Sequence, residues 1–130
     1  MSRDYQATKN NPYLLPRPLY RMTLAFIRDH ERKCDEYKSL EEDSRHPPDG
    51  LPRGSASGNP TQRNGIRRAE LWVSISAVKD ALNIVPEEYR DGVWENVVHY
   101  RRYPDDADPS TYRRYKQRFI HQVAHNMLWI

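Results

Sequence analysis

Cysteine is nearly missing from this chain. Cys34 stands alone among 130 residues, so no intramolecular disulfide forms and no cysteine cluster holds zinc. Phenylalanine is scarce at 2, and hydrophobic residues reach only 37% against 30% charged, which excludes a thick apolar core. No apolar run is long enough for a signal peptide or a membrane-spanning helix, and Met1 to Lys9 is polar. A cytoplasmic location and no membrane partner are the corresponding expectations. No Gly-rich phosphate loop follows a strand pattern, and no nucleophile–base pair stands out, so the chain reads as a non-enzyme needing no cofactor.

What is abundant is tyrosine, at 9, with 3 tryptophans. A phenol keeps a polar tip, so it sits at the edge of a thin core and still reaches a partner. The net charge of +3 is modest, but it is unevenly spread. Glu31 to Asp43 leans acidic. Thr111 to His125 carries Arg113, Arg114, Lys116 and Arg118 and no acid, the electrostatic footprint of a phosphate-binding surface.

The periodicity predicts an all-α fold: a long antiparallel helical hairpin followed by a C-terminal helix-turn-helix-like unit. Residues 1–17, with Asn10-Asn11-Pro12 and Pro16, form an irregular leader whose Tyr13, Leu14 and Leu15 pack back onto the body. Residues 18–85 form the hairpin. Its first helix starts at Pro18 and runs to about Asp43, with Leu19, Met22, Phe26, Ile27, His30, Cys34, Tyr37 and Leu40 on one stripe. At the rise of an α-helix it is about 40 Å long and needs a partner along it.

Pro47, Pro48, Pro52 and Pro60 with Gly50, Gly54 and Gly58 make 44–60 a flexible loop. The second helix covers 61–85 and is apolar on two sides. Ile66, Ala69, Val73, Ala77 and Leu82 form one stripe, Leu71, Ile75, Val78 and Val85 the other, and Trp72 points away from both. A helix apolar on two sides is buried between neighbours or lies in a subunit interface, so a homo-oligomer through the hairpin is expected.

Residues 86–130 form the helix-turn-helix-like unit. Pro86-Glu87-Glu88 opens a third helix with Tyr89, Val93, Trp94, Val97, Val98 and Tyr100 buried. Tyr103 to Asp108 interrupts it. Asp108 caps a fourth helix that starts at Pro109 and ends near Met127. On a helical wheel Tyr112, Phe119, Ile120, Val123 and Met127 face the core. Ser110, Thr111, Arg114, Gln117, Arg118, His121 and His125 face outward.

Arginine forks onto guanine or phosphate, and glutamine pairs with adenine. In a helix-turn-helix the first residues of the second helix meet base edges. Thr111, Arg114, Tyr115 and Arg118 are the candidates for that role, supported by Ser110, Gln117 and His121. Arg101, Arg102 and Arg113 are the candidates for the flanking backbone of double-stranded DNA. Lys116 falls on the apolar stripe and must reach water or pair with an acid such as Asp105 or Asp106. His121 and His125 have metal-ligand spacing but no third ligand, so no metal site is expected. His30 and Cys34 read as a packed pair. Glu87-Glu88 and Asp105-Asp106 read as helix-start acids.

Pro86-Glu-Glu-Tyr-Arg-Asp-Gly-Val-Trp-Glu-Asn-Val-Val, Tyr103-Pro-Asp-Asp-Ala and the run from Thr111 to Ala124 together resemble the C-terminal half of RinA-type phage and prophage transcriptional regulators. Pro47-Pro-Asp-Gly-Leu-Pro-Arg-Gly is similar as well. The likeness runs from about Leu19. It implies an activator of late phage genes that acts in the bacterial host by promoter binding and RNA polymerase contact, with a C-terminal unit like the promoter-reading part of sigma factors. One departure stands out: the family's better-known members carry a longer apolar helix directly before the recognition helix, where Tyr103 to Asp108 is short and acidic. The alternative readings are a DNA-packaging recognition subunit, like a small terminase, and a helical adaptor whose basic face binds no DNA.

Overall fold

The computed structural model describes residues 5–45 and 60–130, with the side chains of 43–45 left aside. The described residues are helical without strands: α1 Arg17–Arg28, α2 His30–Arg45, α3 Pro60–Leu82, α4 Glu87–His99 and α5 Pro109–Asn126. All but one of these helices begin at a proline, which either caps the helix or fills its first turn, where its missing N–H costs nothing. The loop expected over 44–60 lies almost wholly outside the described residues.

The single helix expected from Pro18 to Asp43 is instead two. Asp29 leaves the helix at φ −88°, ψ 0°, with its N–H bonded back to Ala25 and Ile27 carbonyls. The apolar positions run on across this break, which is why periodicity alone predicts one helix. The buried face of α1 also differs from the expected stripe. Tyr20, Thr23, Leu24 and Ile27 are buried, while Met22 is 46% exposed. Thr23 satisfies its hydroxyl locally by donating to the Leu19 carbonyl at 2.8 Å, which lets a polar residue take a core position.

Two compact units divide the described chain: Met1–Asp29 with Ala77–Ile130, and His30–Ser76. In the first unit α1, α4 and α5 pack against one another. Their core is Tyr20, Leu24 and Ile27 from α1, Val93 and Val97 from α4, and Tyr112, Phe119, Ile120, Val123 and Ala124 from α5, closed by Val78, Ala81 and Val85. The α5 stripe matches the expected one apart from Met127, which is the half-buried C-cap. Tyr100 is exposed rather than buried. It ends α4 in the left-handed region at φ 59°, and the Arg101 N–H returns to the Glu95 carbonyl at 3.1 Å. Arg28 closes this corner. Its Nε donates to the Val97 carbonyl at 2.9 Å and its guanidinium lies 4.6 Å from the Tyr100 ring centre.

The leader packs back onto the body through Gln6, Asn11 and Leu15. Gln6 clasps Leu15 through both backbone groups, at 2.8 and 3.0 Å, and Leu15 is buried in the core as expected. Asn11 turns the chain by accepting from the Tyr13 N–H at 2.9 Å.

In the second unit Arg67 of α3 bonds Glu36 of α2 in bidentate fashion, at 2.8 and 3.0 Å. Arg68 lies over the Tyr37 ring at 5.3 Å, and Trp72 packs against the same ring at 5.6 Å. Leu71 and Ile75 are buried. Cys34 Sγ sits 3.4 Å from His30 Nε2, a packed pair as the sequence suggests.

At Gly92 the absence of a side chain lets α4 lie close against α5 and the connection between them. A Cβ there would meet Tyr112 Cε1 at 2.6 Å and Pro104 Cδ at 2.9 Å, and neither ring can move away. Overpacking of this kind costs about 1–3 kcal/mol, more than the 0.5–1 kcal/mol that alanine gains over glycine in a helix. Gly92→Ala should lower the thermal midpoint by about 5 °C in a calorimetric scan. An unchanged or raised midpoint would mean that α4 and α5 do not meet here.

Candidate nucleic-acid interface

The first turn of α5 is fixed from both sides. Asp108 Oδ1 accepts the Ser110 N–H at 2.8 Å. This amide and then the Ser110 hydroxyl, with a smaller effect from Arg113, hold the Asp108 carboxyl below its ordinary range. One turn in, Tyr112 is fully buried. Its ring stacks on Tyr103 at 5.1 Å and 11°, meets Tyr89 edge-on at 5.4 Å, and its hydroxyl reaches Asp106 Oδ1 at 2.5 Å. Burial first, and Asp106 second, push the Tyr112 phenol up to about 12. Burial does the same to Tyr103, also to about 12. These phenols stay neutral and act as fixed struts.

With Tyr112 inward, Arg113, Arg114 and Arg118 are exposed, as is Arg102 just before the Tyr103 stack. Among the described residues none of these four lies within ion-pair distance of a carboxylate. Thr111 is half-buried. A groove of about 450 Å³ opens between the end of α4 and the start of α5, with Asn96, Arg101, Arg102 and Asp105 on its walls.

Several expected site residues stand elsewhere. Gln117 is 9% exposed, not outward. Its Oε1 accepts from Asn11 Nδ2 at 3.4 Å and its Nε2 donates to the Tyr20 hydroxyl at 3.4 Å, so it serves the leader and α1. Tyr115 is half-buried, with one ring face on Tyr89 at 5.2 Å and Arg114 lying 5.6 Å from its centre, which takes it off base-edge duty. Ser110 is exposed, but its amide and hydroxyl both serve Asp108. The cap therefore occupies the Ser110 amide at the helix N-terminus. Arg101 is paired with Glu95 at 3.4 Å, although it is 72% exposed. His121 is half-buried against the Tyr13 ring at 5.4 Å. Lys116 is 6% exposed and donates to Asn96 Oδ1 at 3.1 Å.

Sequence reasoning missed Asn96, which also donates to the Arg101 carbonyl at 2.8 Å, and the tyrosine stack under the arginines. The only advance signal was the density of tyrosine between Tyr89 and Tyr115. No group of three or more His, Cys, Asp or Glu side chains among the described residues is placed to share a metal ion. No helix among them is long and apolar enough to cross a membrane. No protein-family model, curated protein or solved structure matches the chain.

The His121 imidazole is held below its ordinary 6.5, first by burial and then by His125. Its folded form binds a proton less readily than the unfolded form, so stability is full above pH 6.5 and declines as pH falls below it. A pH series of thermal midpoints should show this decline, and His121→Gln should flatten it. An equally steep decline in the variant would assign the effect to other groups.

Proposed function

We propose that this protein is a DNA-binding transcriptional regulator, an activator of phage or prophage late genes of the RinA type. It acts by binding a promoter and contacting RNA polymerase, without chemistry of its own. One observation carries the reading: Arg113, Arg114 and Arg118 emerge along the first turns of one rigidly seated helix, with Arg102 beside them, and no carboxylate among the described residues lies within ion-pair distance of any of them. A guanidinium without a paired carboxylate is available to phosphate or to a guanine edge. The Tyr112 anchor supports the same reading, because a helix that reads DNA must be held still.

The site is narrower than the sequence suggests. Arg114 and Arg118 are the base-edge candidates, and Arg113 and Arg102 the phosphate contacts. The connection over residues 100–108 is longer than the three or four residues of a standard helix-turn-helix, so α4 supports α5 in a looser arrangement. The adaptor reading draws on the leader, which covers Gln117 and His121 and so shields the middle of α5.

Anisotropy of a labelled duplex at several salt concentrations separates the two. Two phosphate contacts give a log–log slope of about −1.8, which Arg102→Ala with Arg113→Ala should bring close to zero, whereas Arg114→Ala with Arg118→Ala should keep the slope and lose affinity at least tenfold. Absence of binding even in low salt would leave the adaptor reading standing.

A further inference from the structure

Of the two apolar stripes of α3, the structure covers one along its length and leaves the other bare only over Ile66, Ala69 and Val73, since Ala77 is 6% exposed and Leu82 packs against the core. Leu71 and Ile75 are buried, and Arg67 and Arg68, on the same side, engage α2. The opposite side carries Gln62, Ile66, Ala69 and Val73, spaced 4, 3 and 4 residues apart. All are exposed, Ile66 at 54% and Val73 at 59%. This is the alternating spacing of a helix that packs along another helix over its whole length. Single exposed apolar residues are ordinary, but a continuous stripe at this spacing asks for a cover.

We infer that the cover is α3 of a second copy, running antiparallel, with Ile66 of each helix set against Ala69 of the other. A two-fold interface must be self-complementary: wherever residue i meets j, j also meets i. The stripe meets this demand at three levels in one register. Ile66 faces Ala69, a large residue against a small one. Arg63, exposed on one flank, faces Glu70, which is 63% exposed and lies 3.7 Å from Arg67 of its own helix, so each Glu70 carboxylate takes Arg63 of the other copy as a second cation in two symmetric ion pairs. On the other flank Trp72, 51% exposed, faces Gly65, around which nothing lies within 4 Å.

Shifting the register by one heptad sets Glu70 against its own copy. Turning the helices parallel sets Glu70 beside Gly65 and forms no ion pair. Charge and shape thus select one partner and one orientation. The overlap of two short helical segments is at the low end of interface size, so the dimer is weak and concentration-dependent. The inference stands apart from the DNA reading, since it concerns only residues 62–73 and is read out by mass.

The test is sedimentation equilibrium on the full chain at about 100 µM, where an interface with a micromolar Kd is nearly saturated. The expected mass is twice 15.5 kDa. Arg63→Glu alone, or Glu70→Arg alone, turns both ion pairs into repulsions and should weaken association about tenfold or more. Mixing these two variants in equal amounts should restore the dimer. One variant then carries an acid at both positions and the other a cation at both, so both ion pairs form between unlike chains. Ala69→Arg should give a monomer with an unchanged far-ultraviolet helical spectrum, and the charge-reversal mixture decides the matter if that variant misfolds. A wild-type monomer at this concentration, a mass above that of a dimer, full association of either single charge variant, or a mixture that stays monomeric overturns the proposal.

Discussion

The rest of the first unit depends on how one phenol is held. Tyr112 is enclosed by Tyr103 on its face, Tyr89 at its edge and the bare backbone of Gly92 beneath it, with its hydroxyl on Asp106. Aromatic pairs of this geometry add about 0.5–1.5 kcal/mol each beyond their burial, and they have directions, unlike aliphatic contacts. Three separate stretches, α4, the connection after it and α5, are referred to a single ring. The angle at which α5 leaves the connection is set there, and with it the direction of every arginine in its first turns. Pro104 contributes by filling the space beside the same glycine. A thin core can work in this way because each tyrosine buries a ring and still satisfies its own polar end.

The same economy governs the buried polar residues. Lys116 and Gln117 lie side by side on α5, both nearly inaccessible, and each bonds a neutral amide or hydroxyl. Neither charge nor amide is stranded, which is what burial of such groups requires. Arg28 does similar service at the end of α4, where its guanidinium supplies a donor to a terminal carbonyl and a cation to the face of Tyr100.

Much of this was legible in the sequence, for physical reasons. Pro86, Pro109 and Asp108 act through their own backbone and nearest neighbours, so they mark helix starts correctly without knowledge of the fold. The α5 core stripe was legible because that helix has one wide buried face. The break at Asp29 was not, since a single residue can leave the helix while the apolar period continues on either side. A helical wheel misplaces Gln117 and Tyr115 because it sees one helix at a time. What buries Gln117 is Asn11, more than a hundred residues away, and what covers Tyr115 is Tyr89. Hydrophobicity alone places Met22 inward, yet Tyr20 and Thr23 take the core positions because their polar atoms find partners.

The cover that the leader lays over Gln117 and His121 limits how much of α5 any long ligand can touch. From Ser110 to Arg118 the accessible stretch is about 13 Å of helix, the length of roughly four base pairs of duplex. A four-letter word recurs by chance about once in every 250 positions, far too often to single out one address in a genome. On the proposed DNA-binding reading, discrimination on that scale requires two such words at a fixed spacing, and that spacing would be set by how two copies are joined.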